Sequence, residues 1–148
     1  DHLDLHSFPT RRSSDLDIIK ESQIFFSLMT LERYPYIYAP INESRINVVE
    51  KNGNQKEVRE LSKGTAEQLY LALRFGFIRE FSKRSESLPI IFDDVFVNFD
   101  PERFSASCKA VKELSNTHQL LYFTCHPDSA NLMKKVIPDS KLVELGAV

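Results

Sequence analysis

The stretch "LPIIFDD", residues 88–94, places the strongest constraint on what this chain can fold into. It is apolar almost without interruption, has the length of a strand, and ends in two adjacent carboxylates. A run without polar alternation is the pattern of an interior strand in a parallel sheet. "QLLYFT", residues 119–124, repeats that pattern. Between the two, Asp100-Pro101 opens a helix to about residue 115, with Asp100 as N-cap and Pro101 in the first turn. "HPDSANLMKKV" reads as a turn and short helix, and "KLVEL", residues 141–145, as a final strand. Strand, helix, strand, helix, strand predicts an α/β fold built mainly on a parallel sheet with crossover helices. Ligands of such sheets gather at the carboxyl ends of the strands. Asp93, Asp94 and His126 all lie at such ends.

Upstream the character changes. Residues 17–31 carry Ile18, Ile19, Phe25, Phe26 and Met29 at spacings compatible with an amphipathic helix. Tyr36 to Tyr38 suit a strand, and "RINVVEK", Asn52-Gly53 and "QKEVREL" read as a hairpin with a tight turn. Residues 65–82 form a helix with two apolar stripes, Ala66, Leu69, Leu73, Phe77 and Phe81 on one and Leu71, Phe75 and Ile78 on the other. Such a helix is expected to be buried on most sides.

At 148 residues the chain is sized for one domain with a real core. A net charge of -2 gives no overall basic field for nucleic acid, although a local patch remains open. Cys108 and Cys125 lack metal-type spacing and read as reduced thiols of a cytosolic, cytoplasmic protein. No apolar run approaches the roughly 18–20 residues of a membrane span. Residues 1–16 stand apart: "HSFPTRRSSDL" resembles the conceptual translation of a sequencing adapter. The segment is set aside from functional reasoning, leaving 17–148 as the domain. On that expectation the natural gene continues upstream.

Three constellations carry candidate chemistry. In "LSKGTAEQ", Ser62 and Gly64 precede a helix whose unpaired N–H groups and partial positive charge suit a phosphate. Plain N-capping by Ser62 or Thr65, aided by Glu67 or Gln68, accounts for the same residues. In "IIFDDVFVNFD", Asp93 suits a magnesium ion and Asp94 an attacking water. Two solvated acids at a strand end are the plainer reading. In "LYFTCHPD", His126 can reach a terminal phosphate or be an ordinary loop residue.

Taken in order, these elements resemble the C-terminal lobe of ABC-type ATPase heads (P-loop NTPases), with the resemblance running from about Phe25 to Leu145. "LSKGTAEQ" looks like the signature motif, "LPIIFDD" like Walker B, "VNFDPER" like the D-loop and "FTCH" like the switch-histidine region. Among these heads the chain is most similar to the coiled-coil class of SMC, SbcC and YhaN-like DNA-repair ATPases. The resemblance implies two ATPs, each with Mg2+, held between two heads. Asp93 would organise the metal, Asp94 would position or activate water, and His126 would contact the terminal phosphate. Ser62, Lys63, Gly64 and Gln68 would bind nucleotide held by the opposite head, while Asn98 and Asp100 would lie at the head–head interface. Helix 17–31 would be the root of a coiled-coil arm. Partners implied are a second head, an N-terminal lobe carrying Walker A, DNA and a nuclease, with no membrane. The pattern departs from the family in three places. Lys63 stands where a small residue is usual, and Asp94 where glutamate is common. No G-x-x-x-x-G-K-[ST] loop occurs, so Walker A is absent and this chain alone is expected to be inactive.

Two other classes compete. A non-hydrolysing dimerisation module derived from such a head would keep the same residues. A receiver-like phosphoacceptor would use the paired aspartates with Thr124 and Lys141, but needs a further acidic strand end between Asp94 and Thr124. Glu113, the candidate there, falls in a helical stretch. A transporter head would need a Q-loop and a membrane partner, and nothing in the chain points to either.

Overall fold

In the computed structural model, residues 13–40 and 45–146 are described. Of the segment set aside above, residues 1–12 lie outside that range, and 13–16 open the first helix, α1 (Ser13–Met29). Next come β1 (Tyr36–Tyr38), β2 (Asn47–Val49), β3 (Gln55–Glu57), α2 (Lys63–Ser82), β4 (Ile90–Asp93), α3 (Pro101–Ser115), β5 (Leu120–Phe123) and α4 (Pro127–Val136). The fold is α/β, with a three-stranded antiparallel sheet β1-β2-β3 and a parallel pair β4-β5.

Local chemistry explains most boundaries. The β2–β3 turn closes because Gly53 adopts φ +89 and the Asn52 carboxamide accepts from the Asn54 N–H at 3.0 Å. Ser62 caps α2 by accepting from the Thr65 N–H at 3.3 Å, and Asp100 caps α3 through the Arg103 N–H at 2.9 Å. Helix α1 stops at Leu31 and Glu32, both left-handed, where the Glu32 N–H reaches back to the Ser27 carbonyl at 2.8 Å.

A phenylalanine lattice fills the core. Phe25 of α1 meets Phe75 of α2 edge-on at 5.3 Å, and Phe75 meets Phe92 of β4 at 5.7 Å. Burying each ring contributes about 1.5–3 kcal/mol. Arg79 knits three helices: its guanidinium lies 4.5 Å from the Phe25 ring centre, 3.5 Å from Glu21 of α1 and 2.8 Å from Glu113 of α3. Glu113 is thereby committed to a helix–helix contact, which removes the acid a receiver-like site would require.

Three expectations are corrected. Helix α2 is not buried on most sides: Tyr70, Phe77 and Phe81 are each 55% exposed, because α1 and the core cover only one side of it among the described residues. The parallel sheet is smaller than expected, and its two strands are half-covered, with Phe92 buried and Ile91 66% exposed. Residues 141–145 form no strand; Leu142, Val143 and Leu145 are exposed. A strand needs an edge to pair with, and no described strand bonds to this segment.

Candidate functional site

Strands β4 and β5 pair in parallel register, with Asp93 opposite Phe123. The ladder runs one step further, since the Asp94 N–H donates to the Phe123 carbonyl at 3.0 Å. Two strand ends are thereby locked side by side, and the residues just beyond them, Asp94 on one and Thr124 to His126 on the other, face one another.

Asp94 then leaves the strand in the left-handed region at φ +44, a conformation aspartate tolerates better than most residues. The chain turns at once, with the Val97 N–H on the Asp94 carbonyl at 3.0 Å. Phe96 anchors this turn. It is 1% exposed, packs edge-on against Phe104 at 5.5 Å and stacks on Tyr122 at 5.7 Å. The burial of this ring was not drawn from the sequence.

Around the Asp94 carboxylate, the Cys125 thiol donates to Oδ2 at 3.6 Å and His126 Nε2 lies 3.9 Å from the same oxygen. A hydrogen bond from the Thr124 hydroxyl is the largest influence holding the Asp94 carboxyl below its usual range. Partial desolvation opposes it, and Cys125 and His126 add to the lowering. Asp94 is therefore ionised at neutral pH. Asp93, its neighbour, is exposed at the tip of β4 and offers carboxylate oxygens of the kind Mg2+ takes. Cys108 is the contrasting thiol, fully buried and pushed up to about 12 by desolvation.

The second group lies where α2 begins beside α3. Ser62 and Lys63 are exposed. The Ser62 hydroxyl is shared with Thr65 Oγ1 at 2.8 Å. Gly64 is close-packed, because a Cβ there would lie 1.8 Å from Arg103 Nη1. Arg103 in turn sits 3.4 Å from Asp100, so the signature-like turn and the D-loop-like segment meet through one guanidinium. They border a polar cleft of about 390 Å³ that also includes Thr65 and Glu102. Arg103 was missed from the sequence, although "DPER" carried it. Asn98 is exposed on the turn before Asp100. Gln68 is 2% exposed and its amide donates to the Met29 carbonyl at 2.8 Å. That bond ties α2 to the end of α1, and Gln68 lines the same cleft as Thr65, Asp100 and Arg103.

Comparison with known proteins bears on the fold. Against solved structures, the chain superposes with a TM-score of 0.60 on one from work on ATP-driven dimerisation and DNA-stimulated activation of SMC ATPases. The two are 16% identical, over 82% of this chain and 74% of the other. The chain has the fold of part of an SMC ATPase head. The SMC head domain from Thermotoga maritima matches likewise, with a TM-score of 0.60 and 18% identity over 81% of this chain and 40% of that one. The Smc head of Pyrococcus furiosus bound to the C-terminal domain of ScpA matches at 0.56 with 16% identity, over 82% and 30%. In sequence, the SMC-like chain is 40% identical over 104 residues to the "Uncharacterized protein YhaN" of Bacillus subtilis (strain 168). That match covers 69% of this chain and 11% of YhaN. No family model matches.

Proposed function

We propose that residues 17–148 are the C-terminal lobe of an ATP-hydrolysing head of the SMC/SbcC/YhaN type. The observation that carries this is the convergence at the β4 and β5 ends, where an ionised Asp94 is held by Thr124 and faces His126. Asp93 would hold the magnesium, Asp94 would position the attacking water, and His126 would contact the terminal phosphate. Magnesium bound with the nucleotide supplies neutralisation of the phosphate charge. Ser62 and Lys63 are exposed at a helix start whose unpaired N–H groups can complete the site of an opposite head, with Gly64 beside them under Arg103. Asn98 and Asp100 would lie between the two heads. Gln68 would border the same cleft from beneath, its amide held by the Met29 carbonyl.

The sequence holds no phosphate-cradling loop, so an N-terminal lobe must supply it and the second partner is another head. Cytoplasmic action on DNA ends or double-strand breaks, together with a nuclease, is what the resemblance to SbcC- and YhaN-like repair ATPases implies. Among the described residues no helix is long and apolar enough to cross a membrane.

In the complete protein, Asp94→Asn should cut ATP turnover by about 10²–10⁴ while leaving ATP affinity unchanged, because the amide keeps the size and the left-handed backbone but is a poor base. Unchanged phosphate release would refute the assignment. By contrast, the 148-residue chain alone should show no micromolar ATP binding by titration calorimetry. Micromolar binding would refute the division of labour between lobes.

A further inference from the structure

We propose that Asp94, Cys125 and His126 form a binding site for a thiophilic divalent cation of the zinc class. One donor atom from each residue lies within 4.8 Å of the other two. Two of the three separations are 3.6 Å, from Cys125 Sγ to Asp94 Oδ2, and 3.9 Å, from His126 Nε2 to the same oxygen. Zinc bound at its usual ligand distances in a tetrahedron sets its donors about 3.4–3.6 Å apart. Along these two edges the donors need to close by about half an ångström or less, while the third, from Cys125 to His126, lies within 4.8 Å.

The placement is not left to flexible side chains alone. The parallel register and the bond from the Asp94 N–H to the Phe123 carbonyl at 3.0 Å fix one strand end against the other. Thr124 then holds both sides of the site. Its hydroxyl hydrogen-bonds the Asp94 carboxylate, and its Oγ1 accepts from the His126 N–H at 3.1 Å. Such outer partners orient metal ligands and sustain their affinity.

Donor chemistry chooses the cation. A thiolate, an imidazole and one carboxylate are the set zinc takes, whereas magnesium takes oxygen and avoids sulfur. Three protein donors leave the fourth position open to water or a phosphate oxygen. Cys125 and His126 are exposed, so the core does not require them where they are. On binding, the Cys125 thiol gives up its proton to solvent and its sulfur bonds the metal.

A consequence follows that rests on the ATPase reading, although binding itself does not. The site uses Asp94 and His126, so a bound cation withdraws both from the water and the phosphate. Zinc would then act as an inhibitor of turnover.

The test uses the reduced 148-residue chain and Co2+ as a spectroscopic stand-in for zinc. One equivalent should produce a thiolate-to-cobalt charge-transfer band together with intense visible bands of tetrahedral cobalt, and Zn2+ should displace both. Cys125→Ser should abolish the charge-transfer band, and His126→Gln or Asp94→Asn should weaken binding at least about tenfold. The double variant His2→Gln/His6→Gln should bind as the parent does. No thiolate band at stoichiometric cobalt, or a band that survives Cys125→Ser, would overturn the site. If cobalt binds as expected but turnover of the complete protein ignores zinc, the cation site stands and its link to hydrolysis is overturned.

Discussion

Two glycines in helix α2 provide a paired test of how α1 and α2 are held together. Replacing a mid-helix glycine by alanine ordinarily gains about 1 kcal/mol from backbone entropy. At Gly76 the added Cβ would lie 2.1 Å from Ser22 Oγ, 2.6 Å from the Ser22 nitrogen and 2.8 Å from the Ile18 carbonyl oxygen. Two of those atoms are backbone of the facing helix, and the hydroxyl is already tied to the Ile18 carbonyl at 2.7 Å. Nothing there can rotate aside, so the helices must separate where Phe25 and Phe75 pack. Overpacking of this kind costs about 1–3 kcal/mol before the loosened ring contacts are counted. After the propensity gain, Gly76→Ala should lose about 1–2 kcal/mol, which for a domain of this size lowers Tm by about 2–8 °C. Gly64→Ala is the control. Its Cβ would meet Arg103 Nη1 at 1.8 Å, the far end of a flexible side chain that can swing into solvent. Its stability should change by no more than about 0.5 kcal/mol. Urea denaturation followed by far-UV circular dichroism suits a chain without tryptophan. A Gly76→Ala protein as stable as the parent, or a Gly64→Ala protein that falls equally far, would refute the reasoning.

Three further outcomes are expected. In the complete protein, Ser62→Arg should cost about 1 kcal/mol from the lost cap and also prevent ATP-dependent dimerisation. Normal dimers in sedimentation, with normal turnover, would return Ser62 to capping alone. Phe96→Ala should destabilise the chain by about 3–5 kcal/mol, measured by denaturation, because its ring is 1% exposed and anchors the turn after Asp94. Burial, and secondarily the nearby Arg79 charge, holds the His118 imidazole below its usual 6.5, against a raising contact with the Leu114 backbone. As pH falls through 6.5 toward that lower value, the unfolded chain takes up the proton first, so stability should decline over that window and then level. His118→Gln should flatten this decline in Tm measured against pH, whereas an unaltered decline would assign it to another group.

What was legible in the sequence was whatever a few neighbouring residues decide. Asn52-Gly53 closes its turn through the Asn52 carboxamide on the Asn54 N–H, and Ser62 and Asp100 cap helices through N–H groups three residues on. What was not legible depends on distant partners. Gln68 looked available at a helix start, yet its amide is taken by the Met29 carbonyl at the end of α1. Residues 141–145 have strand-like composition but no bonded edge, and the outer stripe of α2 has no covering element among the described residues. Arg103 escaped notice for the same reason: its place over Gly64 exists only once α2 and α3 are side by side.

The adjacent aspartates show how the fold separates roles that the sequence writes identically. Asp93 is the last residue of β4, paired in register with Phe123, and strand alternation sends its side chain to the exposed face along with that of Ile91. One residue later the alternation ends. Asp94 keeps a ladder bond to Phe123, but its positive φ turns the chain, and its carboxylate meets Thr124, Cys125 and His126 beyond β5. Were the strand one residue longer, Asp94 would fall on the opposite face, and the cluster beyond β5 would lose its carboxylate. The division between a solvated carboxylate at Asp93 and a partnered one at Asp94 thus depends on where β4 stops. Phe96, packed against Phe104 and Tyr122 just after the turn, is placed to fix that stop.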